Sequence, residues 1–284
     1  MEENGPIYLP FGLKKFDNQV AGHSSKDGKS LSGLLKGVDG FVLKPLTKFP
    51  AGDNEVKFYE NLKLIGDLIL LREFVPQYFG TLVIRIQDVD VKFLKLQDVS
   101  IGLKEPCIMD IKVGAQTWEP SAPFYKRMAE EKKYSSTKSA YGFCIPGYQV
   151  YELCSGKFKK VGKEEGKLLT KETLPLALKE FFNYDHKYSK FLIDCFLQKL
   201  VKLLSWWEKQ TIYHFYSSSL LFLYDASMFK ELINHDEMCK STLPWIKLYC
   251  IDFAHVVPAN DTLDFNYIAG LTKLIDLLKS IHTC

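Results

Sequence analysis

Alternating apolar and polar positions predict strands in the first third of the chain. The run GFVLKPL at 40–46 is a short β-type segment, and 81–99 is typical of two strands around a polar turn near 88–90. The intervening segment 55–71 has helical spacing. Its apolar positions at that spacing are Val56, Tyr59, Leu62 and Leu64. We therefore expect a small β-rich lobe that carries one helix.

Longer helical patterns follow residue 100. Segments 186–209 and 265–282 have the period of amphipathic helices, 122–134 is a shorter polar one, and 212–225 and 245–255 are strand-like. The first long helix should turn four residues toward the core, Phe191, Cys195, Leu200 and Leu203. This mixture of long helices and strands differs from the strand-rich pattern of the first third and indicates a second, larger lobe.

These patterns predict an α+β chain of two lobes with a cleft between them. The N-terminal lobe would span 1–98 and the C-terminal lobe 99–284, and the two would meet at LQDVS, residues 96–100. A chain of 284 residues with 46% hydrophobic residues is long enough to bury a core in each lobe.

Composition narrows the possible partners. A net charge of +3 is too small to favour nucleic acid, and no apolar stretch approaches the roughly 20 residues that span a bilayer. The start of the chain lacks the basic and apolar regions of a signal peptide. Seven cysteines without C-x-x-C spacing are typical of a reducing compartment. We expect a cytoplasmic or nuclear monomer with no membrane partner and no nucleic-acid partner.

Basic residues form two local groups. One lies at 126–138, where it can attract a polyanion. The other, at 156–171, contains three glycines and few apolar residues. We therefore interpret the second group as a solvated loop.

Two lobes with a cleft suggest nucleotide binding, but neither G-x-x-x-x-G-K-[ST] nor G-x-G-x-x-G occurs. The remaining arrangement is that of kinases. It needs a lysine on a strand to bind the phosphates, an acidic residue on a helix to orient that lysine, a hinge whose backbone contacts adenine, and an aspartate further along the chain to bind magnesium. Lys44 lies between apolar residues of a strand, where a buried ammonium needs a partner. Glu55, at the start of the next helix, is the first candidate partner and Glu60 the second. Glutamate at a helix start is also typical for dipole reasons alone.

Asp252 ends the apolar run LYCID, where a carboxylate can meet Mg²⁺ at the edge of a cleft. A lone aspartate at a strand end is also typical of a cap or a salt-bridge partner. Zinc is a further alternative, because His235, Cys239, Cys250 and His255 supply four possible ligands. Their spacing matches no standard zinc motif.

Asp110 and Lys112 lie two positions apart in an apolar run, which puts both side chains on one face of a strand. Alone, this pair is typical of a surface salt pair. With its neighbours it resembles the inositol polyphosphate kinase family, whose signature P-x-x-x-D-x-K-x-G is filled by Pro106, Asp110, Lys112 and Gly114. Further segments match in the family's order, namely QVAGH (19–23), GYQVY (147–151), SSSLL (217–221) and IDFAH (251–255).

The resemblance implies a two-lobed kinase-like fold and ATP- and Mg²⁺-dependent phosphorylation of inositol polyphosphates. In such kinases the signature aspartate, here Asp110, holds the ribose. The lysine, here Lys112, reaches the transferred phosphate and the inositol phosphate. Lys44 would hold ATP phosphates with Glu55 positioning it, and Asp252 would bind magnesium.

The same resemblance implies the hinge and a serine cluster. Backbone groups of Gln97 and Val99 would meet adenine. The serines at 217–219 would lie beside the metal, and Ser218 and Ser219 are candidates. A strand edge with satisfied hydroxyls is the alternative for these serines.

The acceptor side of the cleft falls on a helical segment at about 120–140. Lys126 and Lys133 are seven positions apart and would share a helix face. They match lysines that contact inositol phosphates in the family, and His255 matches a histidine that approaches the substrate. Two further cations of the segment should face solvent, Arg127 and Lys132.

Within the family, the run at 134–151 and the three serines are most like hexakisphosphate kinases, which make a diphosphoinositol phosphate. We favour that activity, with a multikinase acting on inositol tris- and tetrakisphosphates as the alternative, since multikinases share most of these features. Trp118-Glu119-Pro120 and Pro146 depart from the hexakisphosphate pattern. Trisphosphate 3-kinases match less well, because they carry IDFGK where this chain has IDFAH.

Two other classes stay open. An inert inositol-phosphate-binding module would keep the basic face and lose the catalytic groups. A protein kinase would need H-R-D and D-F-G elements, and neither occurs.

Overall fold

The fold is given by a computed structural model, which describes residues 9–10, 12–21, 33–37, 39–46, 49–234 and 243–283. The first of its sheets has five antiparallel strands, β1 (Lys14–Lys15), β2 (Leu35–Lys36), β3 (Phe41–Pro45), β4 (Tyr78–Ile86) and β5 (Val89–Gln97). Their spatial order is β1-β2-β3-β5-β4. β3, which carries Lys44, is therefore the central strand.

The hairpin of β4 and β5 confirms the two predicted strands, with a tighter turn than expected. Ile86 pairs with Val89, so only Gln87 and Asp88 form the turn. Both have positive φ, 47° and 63°. Two-residue turns of this kind match the twist of the flanking strands.

One long helix accompanies this sheet, but it begins and ends earlier than the pattern predicts. α1 spans Ala51–Leu64, and a 3-10 turn at Gly66–Leu68 and the short α2, Ile69–Arg72, follow it. Its buried side chains are Glu55, Val56, Phe58, Tyr59 and Leu62. Of the four apolar positions at helical spacing, Leu64 does not join the buried face, because it is 80% exposed at the last turn of the helix.

The remaining strands form a second antiparallel sheet and a small strand pair. They are β6 (Pro106–Val113), β7 (Phe143–Glu152), β8 (Lys157–Val161), β9 (Tyr213–Phe215), β10 (Ser219–Asp225), β11 (Ile246–Ile251) and β12 (Val256–Pro258). The sheet order is β11-β10-β6-β7-β8, and β9 pairs with β12. β6 lies at the centre, which explains its near-continuous apolar run.

Helices cover this second sheet. They are α3 (Phe124–Lys132), α4 (Ser135–Tyr141), α5 (Lys163–Lys167), α6 (Leu174–Phe181), α7 (Ser189–Trp207), α8 (Ala226–Asn234) and α9 (Phe265–Thr283). α7 and α9 are the two predicted long helices, and the rings of Trp207 and Tyr267 stack between them at 4.0 Å. Phe196 of α7 stacks on Phe222 of β10 at 4.6 Å. The core therefore lies between these helices and the sheet.

The inward face of α7 is rotated from the predicted one. Leu200 and Leu203 are buried as predicted, whereas Phe191 and Cys195 are only partly buried. The buried positions of the first turns are Leu192, Ile193 and Phe196. Phe191, Leu192 and Ile193 are successive apolar residues, so the sequence does not determine which of them faces the core. The helix and the sheet that pack against α7 determine it.

The predicted α+β class and the two-lobed arrangement are confirmed. Within the part of the chain that the structure describes, no helix is long and apolar enough to cross a membrane. The boundary between residues 98 and 99 stays a prediction.

Candidate active site

A cavity of about 360 Å³ opens between the two sheets. The first sheet and α1 contribute Lys44 and Glu55 to its lining. The second sheet and its connections contribute Asp110, Lys112, Ser217, Ile251, Asp252 and His255. Most of the residues predicted for the site thus meet in one place, although they span more than 200 positions of the chain.

Lys44 lies between two carboxylates. Its ammonium is 2.8 Å from Glu55 Oε1 and 2.6 Å from Asp252 Oδ1. The predicted pairing with Glu55 is confirmed over the second candidate, Glu60, which faces solvent. Burial by itself would lower the pKa of Lys44, but the charges of Asp252 and Glu55 outweigh it and raise the pKa above its ordinary value. The side chain therefore stays a cation inside the cleft.

Asp252 follows the last residue of β11 and has a φ of 66°. This left-handed conformation is uncommon outside glycine but is tolerated by aspartate. The next residue anchors the turn, because Phe253 N–H donates to Glu55 Oε1 at 3.2 Å and its ring stacks on Phe58 of α1 at 4.1 Å. α1 thus holds both the partner of Lys44 and the backbone that carries Asp252.

Asp110 and Lys112 both face the cavity from β6, as alternate residues of a strand should. Asp110 is 7% exposed, and burial raises its pKa to about 6 even though the nearby Lys112 ammonium opposes the rise. The Ser219 hydroxyl also favours the ionised form, although no hydrogen bond of normal geometry joins it to Asp110. A half-neutral carboxyl at pH 6 is unusual for aspartate and marks a desolvated position.

Lys112 is held by the serine turn that precedes β10. Its ammonium donates to the carbonyl oxygen of Ser217 at 2.6 Å and to the Ser217 hydroxyl at 3.0 Å. Ser217 has a φ of 58° and lines the cavity. Ser218 and Ser219, the two serines favoured from the sequence, are buried and do not line it. Of the three hydroxyls, that of Ser217 is therefore the one in the cleft.

The two predicted hinge residues differ in position. Val99 lines the cavity, and its N–H makes no hydrogen bond within the described ranges. Gln97 does not line the cavity, and its N–H already donates to the Gln77 carbonyl at 2.9 Å, which leaves only its carbonyl oxygen for a ligand. Val20, Val99, Ile108 and Leu223 form a small apolar cluster at this end of the cleft. Such a surface suits a planar aromatic base.

The predicted acceptor lysines lie outside the cavity lining. Lys126 is on α3, but that helix ends at Lys132 and Lys133 has an extended backbone. The argument that Lys126 and Lys133 share one helix face is therefore wrong. The Lys133 ammonium pairs with Glu130 Oε1 at 2.5 Å.

His255 connects this region to the cavity, which it lines. Burial lowers the pKa of His255, and the charges of Lys126 and Lys112 lower it further. Glu119 opposes this effect from 3.5 Å. The imidazole is therefore neutral at neutral pH, and Lys126 lies near enough to influence it.

Arg127 is not the solvent-facing charge expected from the sequence. Its guanidinium donates to the carbonyl oxygens of Ala122 and Pro120 and lies 4.8 Å from the centre of the Trp118 ring. It fastens the loop that precedes α3. Lys132 is exposed, as predicted.

Two lysines of this region were missed from the sequence. Lys138 is 4% exposed and donates to the Glu130 carbonyl oxygen at 2.6 Å, and its burial lowers its pKa. Lys163 belongs to the group interpreted as a solvated loop, yet it is partly buried, and burial together with the charges of Lys133 and Lys167 lowers its pKa. The two basic groups of the sequence therefore converge beside the cleft. No spacing in the sequence predicts this, because β7 and β8 bring them together.

The zinc alternative gains no support from the described residues. No group of three or more histidine, cysteine or acidic side chains among them could hold a metal ion. Cys250 is fully buried on β11, and burial raises its pKa. His235 and Cys239 lie outside the described residues. A hard cation beside Asp252 would need oxygen ligands from a bound phosphate, which is how Mg²⁺ is commonly held in kinases.

Three comparisons bear on the chain as a whole. The family model described as inositol polyphosphate kinase matches residues 93–279. The human inositol polyphosphate multikinase is 35% identical over 220 residues, which cover 76% of this chain and 52% of the human protein. The Arabidopsis thaliana inositol polyphosphate multikinase beta is 30% identical over 290 residues, which cover 95% of this chain and 93% of that protein. The chain thus spans about half the length of its mammalian relatives but nearly all of the plant one.

A solved structure has the same fold. The crystal structure of the inositol phosphate multikinase Ipk2 from S. cerevisiae, in complex with ADP and Mn²⁺, matches with a TM-score of 0.67. The match covers 84% of this chain and 98% of the yeast chain at 24% sequence identity.

Proposed function

The chain belongs to the inositol polyphosphate kinase family, and on that premise we propose that it transfers the γ-phosphate of ATP to inositol polyphosphates. The observation that supports this most directly is the position of Lys44, whose ammonium is within 2.8 Å of Glu55 and 2.6 Å of Asp252 in the cleft that also contains Asp110 and Lys112. Kinases hold a nucleoside triphosphate with such a set of groups, namely a lysine paired with an acidic residue and an aspartate for the metal ion.

The nucleotide is proposed to lie along the cavity. Its adenine would meet the Gln97 carbonyl and the Val99 N–H over the apolar cluster, and its ribose would meet Asp110. Lys44 and Lys112 would hold the phosphates, and Asp252 would bind the divalent cation, for which we propose Mg²⁺. The ADP and Mn²⁺ of the yeast structure support a nucleotide and a divalent cation at a fold of this kind.

The acceptor is proposed to lie beside His255 at the convergence of the basic groups. Lys126 and Lys133 would bind its phosphates, and the neutral His255 imidazole can hydrogen-bond a phosphate oxygen without adding charge. Lys163, with its lowered pKa, belongs to the same surface. Lys133 already pairs with Glu130 there, but several cations on one surface still suit a ligand with several phosphates.

Phosphoryl transfer at such a site depends on positioning and charge neutralisation. Lys44 is held as a cation by its two carboxylates, and Lys112 is directed by the Ser217 carbonyl, so both ammonium groups are oriented before the phosphates arrive. A bound divalent cation would neutralise further phosphate charge. When a tris- or tetrakisphosphate is the acceptor, the attacking group is a ring hydroxyl, which releases its proton to solvent as the new phosphate ester forms; we assign no residue of this chain as general base. The phosphate acceptor of a hexakisphosphate kinase would already be ionised near neutral pH.

Among the family's activities, we propose that of a multikinase acting on inositol tris- and tetrakisphosphates. The sequence pattern favours hexakisphosphate kinases, but the human and plant relatives are named multikinases. Their similarity extends over most of this chain, whereas the hexakisphosphate pattern depends on a short run and three serines. We therefore give the similarity to these multikinases more weight than the short hexakisphosphate pattern in choosing the activity.

The test is incubation of the purified protein with ATP and Mg²⁺ and, separately, inositol 1,4,5-trisphosphate and inositol hexakisphosphate, with products resolved by anion-exchange chromatography. A multikinase converts the trisphosphate into tetrakis- and pentakisphosphates. A product that elutes after the hexakisphosphate would instead identify a diphosphoinositol-forming kinase. An inert binding module would consume ATP with neither acceptor, and that result would refute the proposed function.

A further inference from the structure

Lys247, on the edge strand β11, binds the turn that follows the hinge. Its ammonium donates to the Val99 carbonyl oxygen at 2.8 Å and to the Ile101 carbonyl oxygen at 3.2 Å. The two partners of the first contact are 148 positions apart in the chain. Lys247 belongs to no motif recognised in the sequence and has no part in the proposed phosphoryl transfer.

The sheet register explains why this side chain reaches the hinge. Ile108 of β6 pairs with Leu223 of β10, and Leu223 pairs with Lys247 of β11. Residues directly opposite one another in an antiparallel sheet project from the same face. Ile108 and Leu223 line the cavity at its Val99 end. Lys247 therefore continues the row that forms this wall to the edge of the sheet, where its ammonium meets the hinge backbone.

The ends of the same turn are held by carboxylates. Asp98 Oδ1 accepts hydrogen bonds from Ser100 N–H at 2.9 Å and from the Ser100 hydroxyl at 2.6 Å. Asp225 accepts from Lys104 N–H at 2.8 Å and from Glu105 N–H at 3.0 Å. Between these two carboxylates, the carbonyl oxygens in the middle of the turn have Lys247 as their cationic partner. Burial lowers the pKa of Lys247, while Asp98 and Asp225 oppose that effect.

We propose that Lys247 is a positioning residue for nucleotide recognition, because it holds the Val99 and Ile101 carbonyls and so keeps the Val99 N–H available to adenine. This inference rests on the proposed function, since it requires a nucleotide base at the hinge. Lys247 does not line the cavity, so its role is to position the hinge and not to contact the nucleotide. The ammonium orders the hinge backbone when the protein folds. Nucleotide binding then does not bear the entropy cost of ordering that backbone.

Lys247→Met tests the proposal, because it keeps most of the apolar stem and removes the ammonium. We expect the Kd for ADP and the KM for ATP to rise about tenfold, the effect of one charged hydrogen bond. The KM for inositol phosphate, and kcat at saturating ATP, should change by less than about twofold. The preference for ATP over GTP should narrow, because a loosened hinge distinguishes the two bases less well. Lys247→Arg should restore ADP affinity, since a guanidinium can donate to both carbonyls.

Lys202→Met is the matched control. Lys202 lines the groove that Lys247 also lines, and it pairs with Glu73 at 2.5 Å without touching the hinge. This variant should bind ADP like the wild type. Calorimetry with ADP alone measures nucleotide affinity without an acceptor, and thermal unfolding without nucleotide shows whether each variant folds.

Three results would overturn the inference. They are a Lys247→Met variant that matches the wild type in ADP affinity and in ATP preference over GTP, a Lys247→Met variant that loses affinity for nucleotide and inositol phosphate equally, and a wild type that binds no ADP. Failure of the proposed function looks different. A wild type that binds ADP in a Lys247-dependent way but phosphorylates no inositol phosphate would refute the activity and support the role of Lys247.

Discussion

The Lys44 ammonium lies 2.6 Å from the Asp252 carboxylate, although 208 positions of the chain separate the two residues. One is on the central strand of the first sheet, and the other follows the edge strand of the second. Their contact therefore joins the two lobes across the cleft. Since Glu55 holds the same ammonium from α1, the lysine would keep one carboxylate partner if Asp252 bound the proposed cation.

Asp252→Asn should abolish divalent-cation-dependent turnover while the fold is retained. The amide lacks the charge that a hard cation needs, so we expect kcat to fall by about two orders of magnitude or more. Lys44 still pairs with Glu55, so circular dichroism and thermal unfolding should stay close to those of the wild type. Asp276→Asn, at an exposed position of α9, is the control and should keep full activity. Turnover near the wild-type rate in Asp252→Asn would show that the metal assignment is wrong.

Lys133→Ala should weaken acceptor binding more than nucleotide binding. The substitution removes a cation from the basic surface and leaves Glu130 unpaired there, so repulsion of the phosphates adds to the lost attraction. We expect the KM for inositol phosphate to rise about tenfold and that for ATP by less than about twofold. Lys132→Ala, at the exposed neighbouring position, provides the comparison. Equal increases in both KM values would place Lys133 outside the acceptor surface.

Asp110→Asn should stabilise the protein at neutral pH while it weakens nucleotide binding. The pKa of Asp110 rises from 3.8 to about 6 on folding, so the folded state resists ionisation of this group. Its destabilising effect is therefore absent only well below the unfolded pKa of 3.8, grows as the pH rises from there through about 6, and is complete about one pH unit above the folded pKa, where it reaches at most about 3 kcal/mol. Asparagine stays neutral and avoids this effect.

Denaturant unfolding at pH 4, 5, 6 and 7 measures that difference directly. The free energy of unfolding of Asp110→Asn should exceed that of the wild type by an amount that increases with pH across this range. ADP affinity, measured at pH 7, should fall. A stability difference that does not vary with pH would contradict the raised pKa of Asp110.

Gly147→Ala should disturb the adenine end of the cleft. A Cβ at this position would lie 2.2 Å from the Val20 carbonyl oxygen and 2.9 Å from that of Val161, so backbone would have to move. Val20 packs with Val99 and others in the apolar cluster beside the hinge. We expect a stability loss of about 1–3 kcal/mol and a higher KM for ATP. Gly66→Ala meets no atom within 4 Å and is the control. Unchanged ATP affinity in Gly147→Ala would show that the GYQVY segment, residues 147–151, has no influence on nucleotide binding.

The local pattern of apolar residues was enough to predict several elements of the fold. The β4–β5 hairpin, α7 and α9 all lie where apolar periodicity predicts them, because backbone geometry repeats every two residues in strands and every 3.6 in helices. The same rule placed Asp110 and Lys112 on one wall of the cleft. The motifs then identified the family, and the family comparison supports it.

Local pattern was not enough at helix ends and helix faces. α3 stops at Lys132, one residue before the lysine that was expected to share its face. α7 buries Leu192 and Ile193 instead of Phe191. Ends and faces depend on which neighbours cover a segment, and small differences between adjacent apolar residues decide them.

The chain by itself therefore specified its periodic elements, its family and the strand that carries Asp110 and Lys112. Folding alone brought Lys44 to Asp252 and Lys247 to the hinge carbonyls, and it placed Lys133 near enough to Lys163 to lower its pKa. These relationships join residues tens to hundreds of positions apart, and each arises where strands or lobes come together. Periodicity reports only on neighbours along one element, whereas a buried charge is placed by every element packed around it, so such contacts have no local signal in the sequence.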